Sequence, residues 1–341
     1  MNRSVGTLTP WMKAEFYQEL AENALAGQPL ATETALRLLT DPAVELLPLL
    51  QAAWVVRRHF FGRGVRIHIL NNAQNGLCSE DCNYCAQSRD SQAPIVKYPL
   101  KSDEELMDGA RRAWESGAYR YCMVLSGRGP GAERVAHMAD VVRRIKAAWP
   151  VEVCLSAGFI DKDMAQTLKE AGLDRYNHNL NTAEARYGAI CRTHDFAQRV
   201  ATLQAARDAG LEVCSGLIIG LGESHSDVVT VAWRLRELQA RSIPVNFYVH
   251  VPGAQLNPVG GLTPEYCLRV LCLFRLINPS AEIRAAGGRE VHLGPLESLS
   301  LYPANSLFSE GYLNVGGQSA DRTRAMVEAA GFVVEQVEIL E

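Results

Sequence analysis

From residue 65 onward the chain alternates short β-branched or apolar segments with longer amphipathic ones, and this alternation restricts the possible folds more than any other feature. Strand-like segments fall at 65–70, 120–125, 151–156, 175–180, 211–219, 243–249, 281–286 and 304–308. Helix-like segments at 103–114, 132–148, 161–171, 195–209, 224–240 and 263–277 separate them. Strands joined by helical crossovers pair in parallel, which places the chain in the α/β class. Eight such units suit a (β/α)8 TIM-type barrel, with a doubly wound open sheet as the competing arrangement.

The residues before the alternation read as helical. Thr9 and Pro10 open a run with Trp11, Phe16, Leu20 and Leu25 at helical spacings, and further helical stretches follow at 34–39 and 43–59. No Ser-, Pro- or charge-rich linker interrupts the later segments. The expected organisation is an N-terminal helical extension (1–60), one barrel domain (61–330) and a C-terminal tail (331–341).

A chain of 341 residues buries a large core without covalent staples, so its nine cysteines need another reason. Their odd number argues against a disulfide framework and for a reducing, cytoplasmic setting. The 34 Lys and Arg against 38 Asp and Glu leave a net charge of −4, with no field for nucleic acid or an anionic membrane. The first residues lack an apolar signal region. The longest uncharged stretch, 242–264, is broken by Asn, Pro, Gly and His. Neither nucleic acid nor a membrane is expected as a partner.

The strongest chemical signal is Cys78-Ser79-Glu80-Asp81-Cys82-Asn83-Tyr84-Cys85, a C-x3-C-x2-C run just after the first strand segment. Three thiolates from one loop can hold three corners of a [4Fe–4S] cube and leave one iron open. A structural zinc site would need a fourth ligand from a partner pair, and no later C-x2-C or H-x3-H pair supplies one. Three unlinked buried thiols are the remaining alternative. Cys122, Cys154 and Cys214 lie in separate strand segments, the second, third and fifth, and residues facing a barrel interior converge. Taken singly, each reads as a small core residue. No Ser/His/Asp arrangement and no acid/base carboxylate pair stands out, so no side chain is assigned as a general acid or base. His178 and His194 lie near the site but form no H-x3-H or H-E-x-x-H ligand pair, and Cys191, Cys267 and Cys272 read as core or surface thiols.

The C-x3-C-x2-C motif with Tyr84 before its last cysteine resembles the radical S-adenosylmethionine superfamily. Within it, the segments around Cys122, Cys154, Cys214 and Arg284 resemble the branch that inserts sulfur into dethiobiotin to form biotin, as do Tyr176–Leu180, Gly220–Glu223, Pro244–Asn246 and Ala304–Ser306. The likeness runs from about residue 43 to the C terminus. It implies a [4Fe–4S] cluster on Cys78, Cys82 and Cys85, whose open iron binds S-adenosylmethionine to yield a 5′-deoxyadenosyl radical. It also implies a sulfur-donating [2Fe–2S] cluster on Cys122, Cys154, Cys214 and Arg284, with Arg120 nearby.

By the same resemblance, Gly127, Asn179, Asn181, Ile218 and Val249 contact S-adenosylmethionine, and Asn177, Asn179 and Asn246 contact the ureido ring of dethiobiotin. An amide suits a cyclic urea because it both donates and accepts, although strand-end asparagines also cap helices. The resemblance further implies an electron donor such as flavodoxin or ferredoxin, and a homodimer. Three departures bear on substrate detail. Asn181 stands where many members have Asp, Asn314-Val315 where two threonines are frequent, and Gly253-Ala254-Gln255-Leu256 where Gly-Thr-Pro-Leu is common. The rival readings are another enzyme of that branch with a different small-molecule substrate, such as a hydrogenase maturase or methylornithine synthase, and a non-catalytic iron–sulfur protein.

Overall fold

The computed structural model describes residues 13–337, so the helix start expected at Thr9 to Trp11 lies outside the described residues. Three helices come first, α1 (Ala14–Leu25), α2 (Thr32–Thr40) and α3 (Leu46–Phe61). The strands are β1 (Gly64–Gln74), β2 (Arg120–Leu125), β3 (Glu152–Ser156), β4 (Arg175–Asn177), β5 (Glu212–Cys214), β6 (Leu217–Ile219), β7 (Ser242–Phe247), β8 (Glu282–Ala285), β9 (Ser306–Ser309) and β10 (Val333–Glu335). Helices α4 (Asp103–Glu115), α5 (Ala132–Ala148), α6 (Lys162–Glu170), α7 (Glu184–Ile190), α8 (Phe196–Asp208), α9 (His225–Glu237), α10 (Pro264–Ile277), α11 (Arg289–Leu293) and α12 (Ala320–Ala329) lie between or after them.

Every strand pairing is parallel, and the order β1-β2-β3-β4-β5-β7-β8-β9 closes because β9 returns to β1 through Arg66↔Ser306 to Ile69↔Ser309. The closed ring excludes the open doubly wound sheet. β5 and β6 together make one stave, read in sequence as a single strand at 211–219. Both pair with β7, at Cys214↔Ser242 and from Leu217↔Val245 to Ile219↔Phe247. The stave breaks at Ser215-Gly216, beside Pro244, which has no N–H to give the ladder. A Cβ on Gly216 would collide with the Pro244 carbonyl. The chain therefore needs glycine there. β10 pairs with the start of β1, from Gly64↔Val333 to Arg66↔Glu335.

The helices begin where the sequence supplies caps. Ser102 with Glu105, Asp195 with Gln198 and Ser224 with Asp227 form reciprocal capping boxes at α4, α8 and α9. Thr263 caps α10 and is followed by Pro264 in its first turn. The outward strand faces, including Tyr121, Met123, Val153 and Leu155, pack on Leu106, Val142 and Ile145 of α4 and α5. Ile243, Val245 and Ile283 pack with α9 and α10 through Val228, Leu271 and Phe274. The inward faces are polar: His68, Arg120, Arg175, Ser242, Glu282 and Arg284 are all buried. The strands are thus apolar outward and polar inward, so functional groups project into the barrel.

Candidate active site

The Cys78–Cys85 loop leaves the C-terminal end of β1, the rim where barrel sites form. Cys82 is buried, and Cys78 and Cys85 are half-buried. Each of these last two thiols is met by two backbone N–H groups, Cys78 by those of Glu80 and Gly127 and Cys85 by those of Gln87 and Ser88. Such donors suit sulfur in its thiolate, metal-holding form. Burial pushes the Cys85 thiol up to about 11 despite those donors.

Carboxylates pin this loop to the segment joining α7 and α8. Asp81 Oδ1 accepts from the N–H groups of Arg192 (2.9 Å) and Thr193 (3.1 Å) and from Cys191 Sγ (3.1 Å). Glu80 Oε2 accepts from the Thr193 hydroxyl (2.8 Å), meets His194 Nδ1 (2.5 Å) and pairs with Arg128 (3.2 Å). On the other side the 251–256 loop docks through Leu256 N to Asn83 O (2.9 Å) and Gln92 N to Gly253 O (2.8 Å). Gly253 has φ +91°, and a Cβ there would lie 2.6 Å from backbone atoms of Gln92 and Ala93. Its place in the departing Gly-Ala-Gln-Leu run is therefore fixed by contact with the cysteine loop.

Cys191, to which the sequence assigned no role, lies 3.8 Å from Cys82 Sγ and 3.3 Å from His194 Nδ1. Ligand atoms of Cys82, Cys191 and His194 all fall within 4.8 Å of one another. A lone metal ion does not suit them. Arg199 Nη2 can only donate, so the His194 Nε2 it meets at 2.9 Å is an acceptor and the ring proton sits on Nδ1, facing Glu80. A metal would need the lone pair at that nitrogen.

Behind the loop is a cavity of 270 Å³. Cys78, Cys82, Cys85, Gly127, Asn177, Asn179, Asn181, Ile218, Asn246 and Val249 all line it. Asn179 Oδ1 accepts from Gly216 N (3.1 Å), while Asn246 gives Nδ2 to Leu217 O (3.1 Å) and takes Gly287 N (3.1 Å) on Oδ1. These amides therefore bridge the broken stave as well as facing the cavity. Asn181 has φ +68° and donates to the Tyr84 hydroxyl (2.6 Å). Asn314 exchanges two amide hydrogen bonds with Asn75 (3.0 and 3.1 Å) on the same wall.

Deeper in the barrel, a cavity of 20 Å³ is bounded by Cys122, Cys154, Cys214, Arg284, Pro244 and Phe308. The register explains the meeting: Cys122 pairs with Cys154 across β2 and β3, Asn177 with Cys214 across β4 and β5, and Pro244 with Arg284 across β7 and β8. Arg284 Nη1 approaches Cys214 Sγ to 4.0 Å, and its buried Nε has no partner among the described residues. Cys122 sits below the usual thiol range because Cys154 donates to it and Arg284 and Arg120 lie close, the donor and the arginines outweighing burial. Three buried thiols and a guanidinium with an unused N–H suit a small anionic iron–sulfur group. Asn177, Val124, Ser156 and Tyr312 line both cavities, and Asn177 Nδ2 donates to Cys214 Sγ at 3.2 Å. Sequence reading missed Tyr312, whose only signal is an aromatic beside the departing Asn314-Val315.

Below the thiols is a charged layer. Arg120 pairs with Glu152 (2.6 Å) and Glu282 (2.9 Å), and Arg175 pairs with Glu152 (3.2 Å). Burial pushes Glu282 up, yet Arg120, His68 and Arg284 outweigh it and hold the carboxyl well below its usual range.

Residues 75–233 match the radical SAM superfamily, and residues 244–333 match the Biotin and Thiamin Synthesis associated domain. The chain is 67% identical over 319 residues to a biotin synthase of Magnetococcus marinus, covering 94% of this chain and 99% of that one. It is 54% identical to one of Acaryochloris marina (88% and 87% covered) and 44% identical to one of Bacillus subtilis (94% and 96% covered). Among solved structures, methylornithine synthase superposes with a TM-score of 0.77 at 18% identity, covering 93% of this chain and 97% of that one. The FeFe-hydrogenase maturase of Carboxydothermus hydrogenoformans gives 0.80 at 15% identity, covering 94% and 80%. Those two likenesses show the shared barrel alone.

Proposed function

The chain belongs to the biotin synthase family of the radical S-adenosylmethionine superfamily, an enzyme family that inserts sulfur into dethiobiotin to form biotin, and from that premise we propose how its residues divide the work. Cys78, Cys82 and Cys85 hold a [4Fe–4S] cluster that binds S-adenosylmethionine, and Cys122, Cys154, Cys214 and Arg284 hold a [2Fe–2S] cluster. When bound, these groups supply a hydrogen-abstracting radical and the sulfur that enters the product. The observation that carries the reading is the stacking of two thiol sets on opposite sides of one cavity wall, with Asn177 and Tyr312 common to both.

The protein's own residues bind, orient and exclude water. Asn177, Asn179 and Asn246 turn amides toward the cavity, where a cyclic urea would find both donors and acceptors. Gly127, Asn179, Asn181, Ile218 and Val249 line the part of the cavity assigned to S-adenosylmethionine. Asn181 gives up the charge an aspartate would bring to a ribose hydroxyl, and its amide is tied to Tyr84 instead. A reductant such as flavodoxin or ferredoxin completes the reaction, in a homodimer in the cytoplasm. No helix among the described residues is long and apolar enough to cross a membrane.

The test is anaerobic turnover of the reconstituted protein with dethiobiotin. Biotin should form, with methionine and 5′-deoxyadenosine released only when dethiobiotin is present. Cys154→Ala should still release 5′-deoxyadenosine yet form no biotin. Full biotin formation by that variant would overturn the assignment of the deep thiols.

A further inference from the structure

Glu282 is two residues before Arg284 on β8, so both side chains enter the barrel, one layer apart. It is the hub of the charged layer. One carboxylate, 2% exposed, meets Arg120 through both oxygens (2.9 and 3.0 Å), Arg284 Nη2 (2.6 Å), the Ser242 hydroxyl (2.8 Å), Arg66 (3.4 Å) and His68 Nε2 (3.5 Å). Ser242 donates to Glu282 and accepts from Arg284 Nη2 at 2.8 Å, so Nη2 is held from two sides. Nη1 and Nε keep no carboxylate. The first faces Cys214 Sγ, the second is unpartnered, and the guanidinium lies 4.8 Å over the Phe308 ring.

A free arginine side chain has several rotors, and an iron site needs its nitrogen in one place. The geometry points to Glu282 as the positioning residue of the deep site: it grips one end of the Arg284 fork and leaves the other end for the group the three thiols hold. The inference rests on the [2Fe–2S] reading above. Arg66, Arg120, Arg175 and Arg284 all enter this layer, where buried Glu282 and partly buried Glu152 meet them, and Glu335 and Glu212 also pair with Arg66 and Arg175. Of these arginines, Arg284 reaches the thiol layer, with Nη1 4.0 Å from Cys214 Sγ, and Glu282 decides where its guanidinium points.

The experiment compares anaerobically reconstituted wild type, Glu282→Gln, Glu282→Asp, Ser242→Ala, Arg284→Ala and the Glu282→Gln/Arg284→Ala double variant. The readouts are iron and sulfide content, the visible spectrum of each cluster, the reduction potential of the second cluster and its rate of loss to a chelator. Glu282→Gln is close in shape and should lose the second cluster about tenfold faster. Its potential should rise, because a negative charge nearby is gone, while the first cluster's spectrum stays put. Glu282→Asp should recover part of the loss. If Glu282 acts through Arg284, the double variant should be no more labile than Arg284→Ala, whereas a purely structural role would make the two losses add.

A wild-type rate and potential in folded Glu282→Gln would overturn the inference. Should that variant not fold, Ser242→Ala carries the test: it removes the hydroxyl bridge and should speed loss to a lesser degree, and no change there would overturn it too. Cys154→Ala separates the two claims. A second cluster that survives in Cys154→Ala overturns the [2Fe–2S] reading itself, whereas its loss there with no effect of Glu282→Gln overturns the positioning role alone.

Discussion

At the scale of single residues, the site depends as much on the groups that hold ligands as on the ligands. Asp81 lies inside the cysteine motif, yet its carboxylate points away from the cavity and accepts the backbone N–H groups of Arg192 and Thr193 and the Cys191 thiol. Its side chain is 3% exposed, so removing the acceptor leaves the part-buried N–H groups of Arg192 and Thr193 without this partner. Asp81→Ala should cost about 3 kcal/mol of unfolding free energy, a few hydrogen bonds to a charged acceptor. Reversible urea unfolding of the cluster-free protein measures this. A loss below about 0.5 kcal/mol, the range of ordinary surface changes, would mean the loop is held by something else. Cys78, Cys82 and Cys85 were legible because thiols at fixed spacing have few other uses. Asp81 and Glu80 were not, because a carboxylate in a loop reads as solvated until its partners, more than a hundred residues away, are seen.

At the scale of elements, helix and strand order was largely readable, since crossover helices carry caps and an apolar stripe that sequence shows directly. The facing of the strands was harder. In β2 the residues run Arg120, Tyr121, Cys122, Met123, and alternation alone would send the arginine to solvent. The barrel reverses this: outward residues pack on helices and inward ones form the charged and thiol layers, so Arg120 is fully buried. α7 was missed because it spans seven residues with no capping side chain, and β10 because three residues carry no period. The break between β5 and β6 was invisible for a different reason, since it is imposed by Pro244 on the neighbouring stave. Gly216→Ala should therefore destabilise by roughly 3 kcal/mol or prevent folding. Gly188→Ala is the matched control: it is in α7 with no atom within 4 Å of a new Cβ, and should stabilise by about 0.5–1 kcal/mol. Equal melting temperatures for the two variants would sink the argument that the stave break requires glycine.

At the scale of the whole molecule, the question is whether the N-terminal helices are an appendage or part of the barrel. Arg269 of α10 answers in part: it is 7% exposed at the side chain and donates to Leu38 O (2.9 Å) in the last turn of α2 and to Val44 O in the connection to α3. Arg57 of α3 goes further. Its fully buried guanidinium donates to the carbonyls of Gly62 and Gly64, which lead into β1, and of Ala304 (3.4 Å), which leads into β9. It also stacks between Trp54 (5.2 Å) and Phe332 (4.9 Å), so one side chain joins the N-terminal helices, both edges of the barrel's closing seam and the C-terminal segment. Burial lowers its pKa to about 10, which still leaves it charged at neutral pH. Arg57→Met keeps the stem between the two rings but strands three carbonyls. It should cost about 3 kcal/mol, read as a lower thermal midpoint of the cluster-free protein. Because Ala304 leads into the strand bearing Phe308 of the deep site, the same variant should also release the second cluster sooner than the first on warming. Simultaneous loss of both clusters at the unfolding midpoint would place Arg57 in global stability alone, and an unchanged midpoint would make the helical layer an attachment that the barrel does not need.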